Sequence, residues 1–451
     1  MKTASDALVA EYIANRPKSL RLHEQATLLF PADGATHSAR VLNPFRPYMS
    51  RAKGSRKWDV DGNEYIDFVM GHGALILGHS HPAVVQALEQ QVARGLLYGE
   101  NHELEIEWAT LIRKMMPVAE RVEFCTCGQE ANMMAIWLSR IFTGRKKVLR
   151  FRDNFHGWGE ELVRKDAAGV YAENVVEIPF NDVDAVARAL ATREYAILMT
   201  EGGGAHMAGQ VPIDDGLLYA LRGLTRDSGT VWLIDEVVTG FRDAPGGWQS
   251  LKGVKPDLTT IGKCAGGGLP VGAVLGRADI MEALSPASPA ARRISHSGTW
   301  NANAAVAAAG VAACTLYLDG APHSAARAQG AYLREKGNAA LQARGIKGRL
   351  YGRTIIHPYF GPIEREPEDA SLPPTRDGNK IVGAEFGPVR DRLVFHLLNR
   401  GVSVLTAIGS AYFVMSAVHT TEDMETTMKA FESSLDAMLA ERSMPATLLG
   451  K

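Results

Sequence analysis

The sequence predicts an α/β protein built on a mostly parallel central sheet, with a smaller α+β domain formed by the two ends of the chain. Short apolar runs alternate with helical patterns through the middle of the chain. These runs are almost continuously apolar, which is typical of strands covered on both faces. With 451 residues, 46% of them hydrophobic, the chain is long enough for a large core and for two or more domains.

The predicted large domain covers residues 65–315. Its strands are expected at 121–125, 146–151, 195–200, 230–235, 258–262 and 271–276, and its helices at 128–142, 216–229 and 301–318. Strands that alternate with helices in this way are joined by crossovers, so most of them are expected to run parallel.

The flanks have a different pattern. The N-terminal segment, 1–64, contains an amphipathic helix and leads into "WDVDGNEYIDF", which predicts two short strands around an Asp-Gly turn. The C-terminal segment, 316–451, mixes helices and strands and includes the proline-rich, charged stretch "PIEREPEDASLPPTRDGNK", expected to be an exposed loop. We expect the two flanks to form the smaller domain together.

Composition narrows the class of protein. The 49 basic and 50 acidic residues nearly balance, so nothing in the charge predicts binding to nucleic acid or to a membrane. Four cysteines without a C-x-x-C pair are too few for a disulfide framework. No secretory signal pattern and no run of 18 apolar residues is present. These features predict a cytoplasmic protein.

Two strand ends carry candidate chemistry. "TVWLIDEVV" ends an apolar run in Asp235, and Lys263 ends a later one and is followed by Gly266–Gly268. In open α/β sheets, ligands bind beyond the carboxyl ends of the strands. Taken alone, Asp235 could cap a helix or turn and Lys263 could be a solvated loop residue.

Further features complete a pattern. Gly128 and Gln129 open a helix after a strand, which favours an anion but also suits an ordinary helix start. Phe155, before His-Gly, could stack on a planar ligand or could be a core residue. The three histidines of "GHGALILGHSHP" have no acidic or cysteine ligand at fixed spacing, so no metal site is predicted.

Together these residues predict a pyridoxal phosphate (PLP) enzyme. This cofactor needs an imine-forming lysine, a carboxylate at its pyridine nitrogen, a phosphate site and a stacking ring. A dry pocket disfavours the charged lysine, which helps the amine act as a nucleophile and then as a proton carrier. Lys263 is the expected imine lysine, and its glycines are expected to let the chain pass close to the cofactor.

At this point the sequence resembles the class III, fold type I PLP-dependent aminotransferases, from about residue 20 to about residue 440. The resemblance rests on "LIDEVVTGFR", "DLTTIGKCAGGGLPVGA" and "HSGTWNANAAVAAAG". Within the family it is greatest to the branch of glutamate semialdehyde aminomutase, D-phenylglycine aminotransferase and β-phenylalanine aminotransferase. The implied fold is a mostly parallel sheet covered by helices, with a smaller domain from both termini.

The resemblance implies roles for individual residues. Lys263 forms the imine and Asp235 pairs with the pyridine nitrogen. Val237 packs on one face of the ring and Phe155 on the other, while Gly128 and Gln129 form the phosphate cup. Thr299 reaches the phosphate of the neighbouring subunit, which implies a homodimer with shared active sites. Arg40 faces the substrate carboxylate, although a surface arginine is the alternative.

Two departures from the family pattern matter. Gln129 stands where relatives have a small hydroxyl residue, so a hydroxyl contact to the phosphate is lost. Glu201-Gly202-Gly203 stands where many relatives have Glu-Pro-Val, which puts the rigidity of that loop in doubt.

The expected function is transfer of an amino group from a carboxylate-bearing amino acid, α or β and possibly aromatic, to a keto acid. Aminomutases of the family carry a longer segment after the His-Gly pair, and a glutamate where this chain has Ala411. Both differences favour transfer between molecules. The alternatives are an aminomutase or amino-acid epimerase on the same cofactor, and a catalytically silent PLP-binding protein.

Overall fold

The computed structural model describes residues 6–36, 40–204, 209–364, 367–381, 386–407 and 410–450. The chain divides into two compact units. The central unit comprises residues 73–75 and 82–323, and the terminal unit comprises 1–72, 76–81 and 324–451. The division that the sequence predicts, a large domain at 65–315 and a smaller one formed together by 1–64 and 316–451, stays a prediction.

The strands, in chain order, are β1 (Met49–Lys53), β2 (Arg56–Asp59), β3 (Glu64–Phe68), β4 (Arg121–Cys125), β5 (Lys147–Phe151), β6 (Val175–Ile178), β7 (Tyr195–Glu201), β8 (Val231–Glu236), β9 (Leu258–Gly262), β10 (Gly272–Gly276), β11 (Gly348–Tyr351), β12 (Ile355–Phe360), β13 (Val402–Ala407) and β14 (Ser410–Val414).

The helices longer than four residues are α1 (Ala7–Ala14), α2 (Pro17–Thr27), α3 (Pro82–Arg94), α4 (Glu103–Met115), α5 (Gly128–Thr143), α6 (Val183–Ala191), α7 (Asp215–Ser228), α8 (Gly247–Lys252), α9 (Ala304–Tyr317), α10 (Ala321–Ala343), α11 (Phe386–Asn399) and α12 (Thr421–Ala440). Shorter helical turns lie at Lys263–Gly266, Ala278–Met281, Glu282–Leu284, Ala290–Arg292, Gly378–Ile381 and Ala446–Leu448.

The central unit contains a sheet of seven strands in the order β4-β10-β9-β8-β7-β5-β6. Strands β9, β8, β7, β5 and β6 pair in parallel, and β10 runs antiparallel to both β9 and β4. The predicted α/β class with a mostly parallel sheet is therefore confirmed. The predicted strands at 121–125 and 258–262 have the observed bounds, and the ends of the other predicted strands and helices differ from the observed ones by at most three residues.

Both faces of this sheet are covered, because successive strand residues point to opposite sides. One hydrophobic cluster joins helix α5 to Val148, Ile197, Met199, Val231 and Leu233. The other joins α6 and α7 to Leu149, Leu198, Trp232 and Ile234. This alternation explains why the strands are continuously apolar, as expected for a sheet between two helical layers.

The terminal unit contains a second sheet of seven strands, in the order β1-β2-β3-β13-β14-β12-β11. Strands β2 and β3 form the antiparallel pair predicted around the Asp-Gly turn. Both ends of the chain contribute, and buried Arg16 ties them together by donating to Asn399 Oδ1 at 3.0 Å and to the Leu398 carbonyl at 2.9 Å. The stretch expected to be an exposed loop buries Thr375, whose hydroxyl donates to Glu364 at 2.7 Å.

Among the described residues, no single helix is both long and apolar enough to span a membrane. Helices α9 and α10 meet those criteria only as a pair, and the pair is bent by 70°.

Candidate active site

Strand β8 ends in two carboxylates that face opposite sides of the sheet. Val231 and Leu233 pack toward helix α5, so Asp235 lies on the α5 side, and the next residue, Glu236, lies on the other. Glu236 accepts from the backbone of Trp248 at 2.9 Å and of Gln249 at 2.7 Å. Burial raises the pKa of Glu236 to about 7, and these donors oppose the shift. Glu236 therefore anchors the loop that follows β8.

Asp235 is buried, and three neighbouring groups contact its carboxylate. Its Oδ2 lies 2.8 Å from Nδ1 of His156 and 2.7 Å from Nδ2 of Asn132, and its Oδ1 accepts from the backbone of Val237 at 2.9 Å. Nε2 of His156 is buried and forms no hydrogen bond within the described part of the chain. The carboxylate is thus fixed in one orientation and stays available for a cationic partner.

Asn132, in the second turn of α5, is the centre of this network. Besides Asp235, its amide donates to the carbonyl of His156 at 2.8 Å, and its Oδ1 accepts from the Thr260 hydroxyl at 2.7 Å. Thr260 lies on β9 directly beside Asp235, with which it is in register. One buried amide therefore connects α5, the loop after β5, and the ends of β8 and β9.

Lys263 follows β9, the strand next to β8, and begins a short helical turn. Its φ of 43° lies in the left-handed region, which non-glycine residues rarely adopt and which is common at functional sites. Burial lowers the pKa of Lys263 below its ordinary value, and the Asp235 carboxylate opposes part of the shift. A neutral amine is the form that attacks a carbonyl carbon.

The glycines after Lys263 serve packing within the protein. Gly267 has a φ of 61°, and an added Cβ would lie 2.8 Å from the carbonyl oxygen of Ala309 in α9. An added Cβ on Gly266 would lie 2.9 Å from Val271, and one on Gly268 would lie 2.9 Å from Leu75. Tight packing against these protein atoms favours glycine at all three positions, and the close approach of this run to the cofactor stays a prediction.

Gly128 opens helix α5, and its missing side chain makes room for Val237. An added Cβ would lie 2.5 Å from Cγ2 of Val237, so only glycine fits while Val237 keeps its position. The N-cap residue, Cys127, forms no side-chain hydrogen bond to the helix. The start of the helix therefore lacks a side-chain cap beside Val237, as an anion-binding helix end requires.

The side chain of Gln129, which stands where relatives have a small hydroxyl residue, is hydrogen-bonded to a neighbouring loop. Its Oε1 accepts from the backbone of Trp158 at 2.8 Å, which ties α5 to the loop that carries Phe155. Gly157, with a φ of 127°, approaches the Gln129 side chain so closely that an added Cβ would lie 2.9 Å from Cγ. The glutamine side chain is thus engaged with this loop, while its backbone remains in the first turn of the helix.

The first residues of the loop after β7 are held in place although two of them are glycines. The Gly202 N–H donates to the carbonyl oxygen of Asp235 at 2.8 Å, a bond that proline could not form. The Glu201 carboxylate accepts from the backbone of Phe155 at 3.0 Å, and Phe155 as a whole residue is 43% exposed. With Glu-Gly-Gly in place of Glu-Pro-Val, the chain directly after β7 is therefore still anchored at Glu201 and Gly202.

Two predicted residues lie apart from this network. Thr299 is exposed and lines a cavity of about 470 Å³ with Trp300 and Trp137, and no hydrogen bond within the described residues joins it to Asp235 or Lys263. Arg40 belongs to the terminal unit, where it is exposed and donates to Thr36 Oγ1 at 3.3 Å.

Sequence reasoning missed Asn132 and His156. Asn132 is a polar residue on the otherwise apolar face of "ANMMAIWL", and that mismatch is the signal that could have revealed it. His156 is marked in the sequence only by its place next to Phe155, and its contact with Asp235 joins residues 79 positions apart.

Comparison with known proteins identifies the family. A family model of the class-III aminotransferases matches residues 37–433. The chain belongs to the class-III aminotransferase family. It is 35% identical to glutamate-1-semialdehyde 2,1-aminomutase of Archaeoglobus fulgidus over 439 residues. The alignment covers 93% of this chain and 99% of that protein.

Solved structures agree with this assignment. The β-phenylalanine aminotransferase of Variovorax paradoxus has a TM-score of 0.86 and 28% identity, over 96% of this chain and 98% of the other. A transaminase with PLP bound has a TM-score of 0.83 and 27% identity, over 94% and 98%. This class-III aminotransferase is therefore an enzyme with pyridoxal phosphate as its cofactor.

The donor set near Asp235 fits that cofactor. A buried carboxylate, a lysine with a lowered pKa and an uncapped helix start lie on neighbouring strand and helix ends of the central unit. These groups match, respectively, a protonated ring nitrogen, an aldehyde carbon and a phosphate.

Proposed function

We propose that this enzyme transfers an amino group from a carboxylate-bearing amino acid to a keto acid, with Lys263 as the catalytic residue. The observation that carries the proposal is the position of Asp235 and Lys263 at the ends of two adjacent parallel strands, β8 and β9. The lowered pKa of Lys263 keeps its amine ready to bond to the cofactor. Once the incoming amino donor has displaced Lys263 from the cofactor, the freed Lys263 amine can carry a proton to and from the reacting carbon.

The other residues of the site bind and orient. When bound, the cofactor supplies a ring that accepts an electron pair from the reacting carbon. In this proposal Asp235 stabilises the positive charge on the ring nitrogen, and Asn132 and His156 hold Asp235 in place. The N–H groups of Gly128 and Gln129 bind the phosphate. Val237 and Phe155 cover the two faces of the ring.

Transfer between molecules is the version of the reaction that we favour. Two solved transaminases match nearly the whole chain, and Ala411, where family aminomutases carry a glutamate, offers only a buried methyl group with no acid–base function. The second candidate is an aminomutase, because the relative with 35% identity over 93% of this chain carries that name.

One experiment separates these functions. The purified holoenzyme is mixed with single amino donors, including aromatic α- and β-amino acids, with no acceptor present. An aminotransferase releases a free keto product and shifts the visible absorption of its cofactor. An aminomutase instead converts glutamate 1-semialdehyde to the isomer with its amino group moved from C2 to C1. An epimerase exchanges the α-proton without forming a keto acid. A silent protein forms no product and exchanges no proton.

We further propose that the enzyme works in the cytoplasm as a homodimer with shared active sites. The central unit exposes three tryptophans, Trp137 at 52%, Trp158 at 79% and Trp300 at 60%, and Trp137 and Trp300 line the same cavity as Thr299. Exposed aromatic surface of this kind is typical of an interface. A second copy covering it would let Thr299 reach the partner's cofactor phosphate.

A further inference from the structure

The loop after β5 is held by side chains from other parts of the central unit. Between Phe155 and Trp158, the chain forms no backbone–backbone hydrogen bond with the residues that the structure describes. Three hydrogen bonds to side chains stand in their place and join Phe155 to Glu201 at 3.0 Å, His156 to Asn132 at 2.8 Å and Trp158 to Gln129 at 2.8 Å. Each bond uses a backbone group of the loop, so these side chains fix the course of the chain there.

The bond to Gln129 secures the most flexible part of this loop. Trp158 lies between two glycines, and the φ of 127° at Gly157 lies in a region that other residues rarely adopt. Trp158 is also 79% exposed, so the packing of its ring adds little. Its N–H bond to Gln129 Oε1 is the one hydrogen bond that Trp158 forms within the described part of the chain. Without this bond, the glycines would leave the chain free to move at this point.

The side chain of Gln129 extends along this loop. An added Cβ on Gly157 would lie 2.9 Å from Cγ of Gln129. One on Gly159 would lie 3.8 Å from Nε2 of Gln129 and 3.5 Å from Sδ of Met133, which lies one turn further along α5. The amide group is therefore on the Met133 side of the helix start. This direction favours contact with the loop over contact with a phosphate at the free N–H groups of the first turn.

We infer that Gln129 is a positioning residue, whose side chain holds the loop so that Phe155 can cover the cofactor ring, while the phosphate is left to the backbone of the helix start. The inference rests on the proposed function, which puts Phe155 on one face of the ring. A small hydroxyl residue, which relatives have at this position, is too short to form the bond to Trp158. This chain therefore has a loop contact where its relatives have a phosphate contact.

The competing explanation is that the Gln129 amide binds the phosphate directly. Two probes separate the explanations, pyridoxal, which has the ring without the phosphate, and inorganic phosphate, each titrated into the apoenzyme by calorimetry. Gln129→Met keeps the length of the side chain and removes the acceptor. We expect it to weaken pyridoxal binding roughly 2- to 12-fold and to leave phosphate binding unchanged. Gln129→Glu keeps an acceptor for the Trp158 N–H, so it should bind pyridoxal as the wild-type enzyme does.

The matched control is Gln91→Met. Gln91 also secures a loop of the central unit, because its Nε2 donates to the Gly95 carbonyl and to the Tyr98 hydroxyl, both at 2.8 Å. The control should lower the melting temperature and leave the binding of both probes unchanged. Unchanged pyridoxal binding in Gln129→Met, weaker phosphate binding, or the same change in pyridoxal binding as in the control overturns the inference. If Gln129→Met does not fold, Gln129→Ala carries the same test, because it also lacks the acceptor.

A double-mutant cycle tests whether Gln129 acts through Phe155. Gln129→Met should raise the pyridoxal dissociation constant by a smaller factor in the Phe155→Ala variant than in the wild-type enzyme. Equal factors in both backgrounds overturn the inference and leave the proposed function standing. If Phe155→Ala alone leaves pyridoxal binding unchanged, Phe155 does not cover the ring, and that part of the proposed function fails together with the inference. Aminotransfer itself is tested by the amino-donor assay, since pyridoxal binding needs no turnover.

Discussion

Replacing Asn132 with alanine should weaken cofactor binding much more than it lowers the stability of the fold. The substitution removes the amide that donates to Asp235 Oδ2 at 2.7 Å and leaves that oxygen with His156 alone. It also frees the Thr260 hydroxyl, which now donates to Asn132 at 2.7 Å. The Asp235 carboxylate can then rotate away from the position that a ring nitrogen requires.

The size of the effect follows from the kind of bond lost. A hydrogen bond to a charged group contributes about 1.5–3 kcal/mol, so the dissociation constant of the cofactor should rise roughly 10- to 100-fold. Thr260→Val removes only a neutral bond, about 0.5–1.5 kcal/mol, and should raise it roughly 2- to 12-fold. The double variant should fall short of the sum, because both residues act through one network.

The assay is equilibrium titration of the apoenzyme with pyridoxal phosphate, followed by absorbance, beside a thermal melt of each variant. The matched control is Asn338→Ala. Asn338 also bridges the backbone, with its Nδ2 and Oδ1 bonded to Leu350 at 3.2 and 2.7 Å, but it lies in the terminal unit. The control should lower the melting temperature and leave cofactor binding unchanged. Equal cofactor dissociation constants for Asn132→Ala and the control would refute the reasoning.

Four further predictions concern Lys263, Asp235, His419 and Thr299. Lys263→Ala should abolish the borohydride-dependent attachment of cofactor to protein, and peptide mapping that finds the attachment on another lysine contradicts this role. Asp235→Ala should keep part of its cofactor binding but lose turnover by at least roughly 100-fold, a few kcal/mol of electrostatic stabilisation, as single-turnover absorbance can measure. Burial lowers the pKa of His419 to about 4, so its contribution to stability, up to about 3 kcal/mol, is complete above its ordinary value of 6.5 and is lost as the pH falls toward 4. His419→Gln should remove this part of the pH dependence of the melting temperature, and an unchanged dependence rules it out. Thr299→Ala should weaken cofactor retention roughly 10- to 100-fold, and a fully active monomer in sedimentation would sink the shared-site proposal.

The sequence was sufficient for those site residues that secondary structure alone positions. Asp235 and Lys263 each end an apolar strand, and parallel neighbours bring such ends to one edge of the sheet. The fold class could be predicted for the same reason, since the alternation of apolar runs and helices is visible along the chain.

Asn132 and His156 could not be predicted in this way. The value of Asn132 lies in contacts with residues 24, 103 and 128 positions away, and no local pattern encodes such contacts. His156 stands in the sequence only as the neighbour of Phe155, and its contact with Asp235, 79 positions away, becomes visible only in the folded chain. Sequence patterns predict elements, whereas these two residues depend on how the elements pack.

The dipeptide at the end of β8 has a consequence for how this enzyme can change. Because Asp235 and Glu236 face opposite sides of the sheet, the two carboxylates have different hydrogen-bond partners, and a substitution of one carboxylate's partners leaves those of the other in place. A one-residue shift in β8 would move each side chain to the other side of the sheet. The carboxylate of Asp235 would then no longer face Asn132, and that of Glu236 would no longer face the loop that it anchors. Point substitutions near either acid can therefore accumulate separately, whereas a single insertion or deletion in this strand disables both at once.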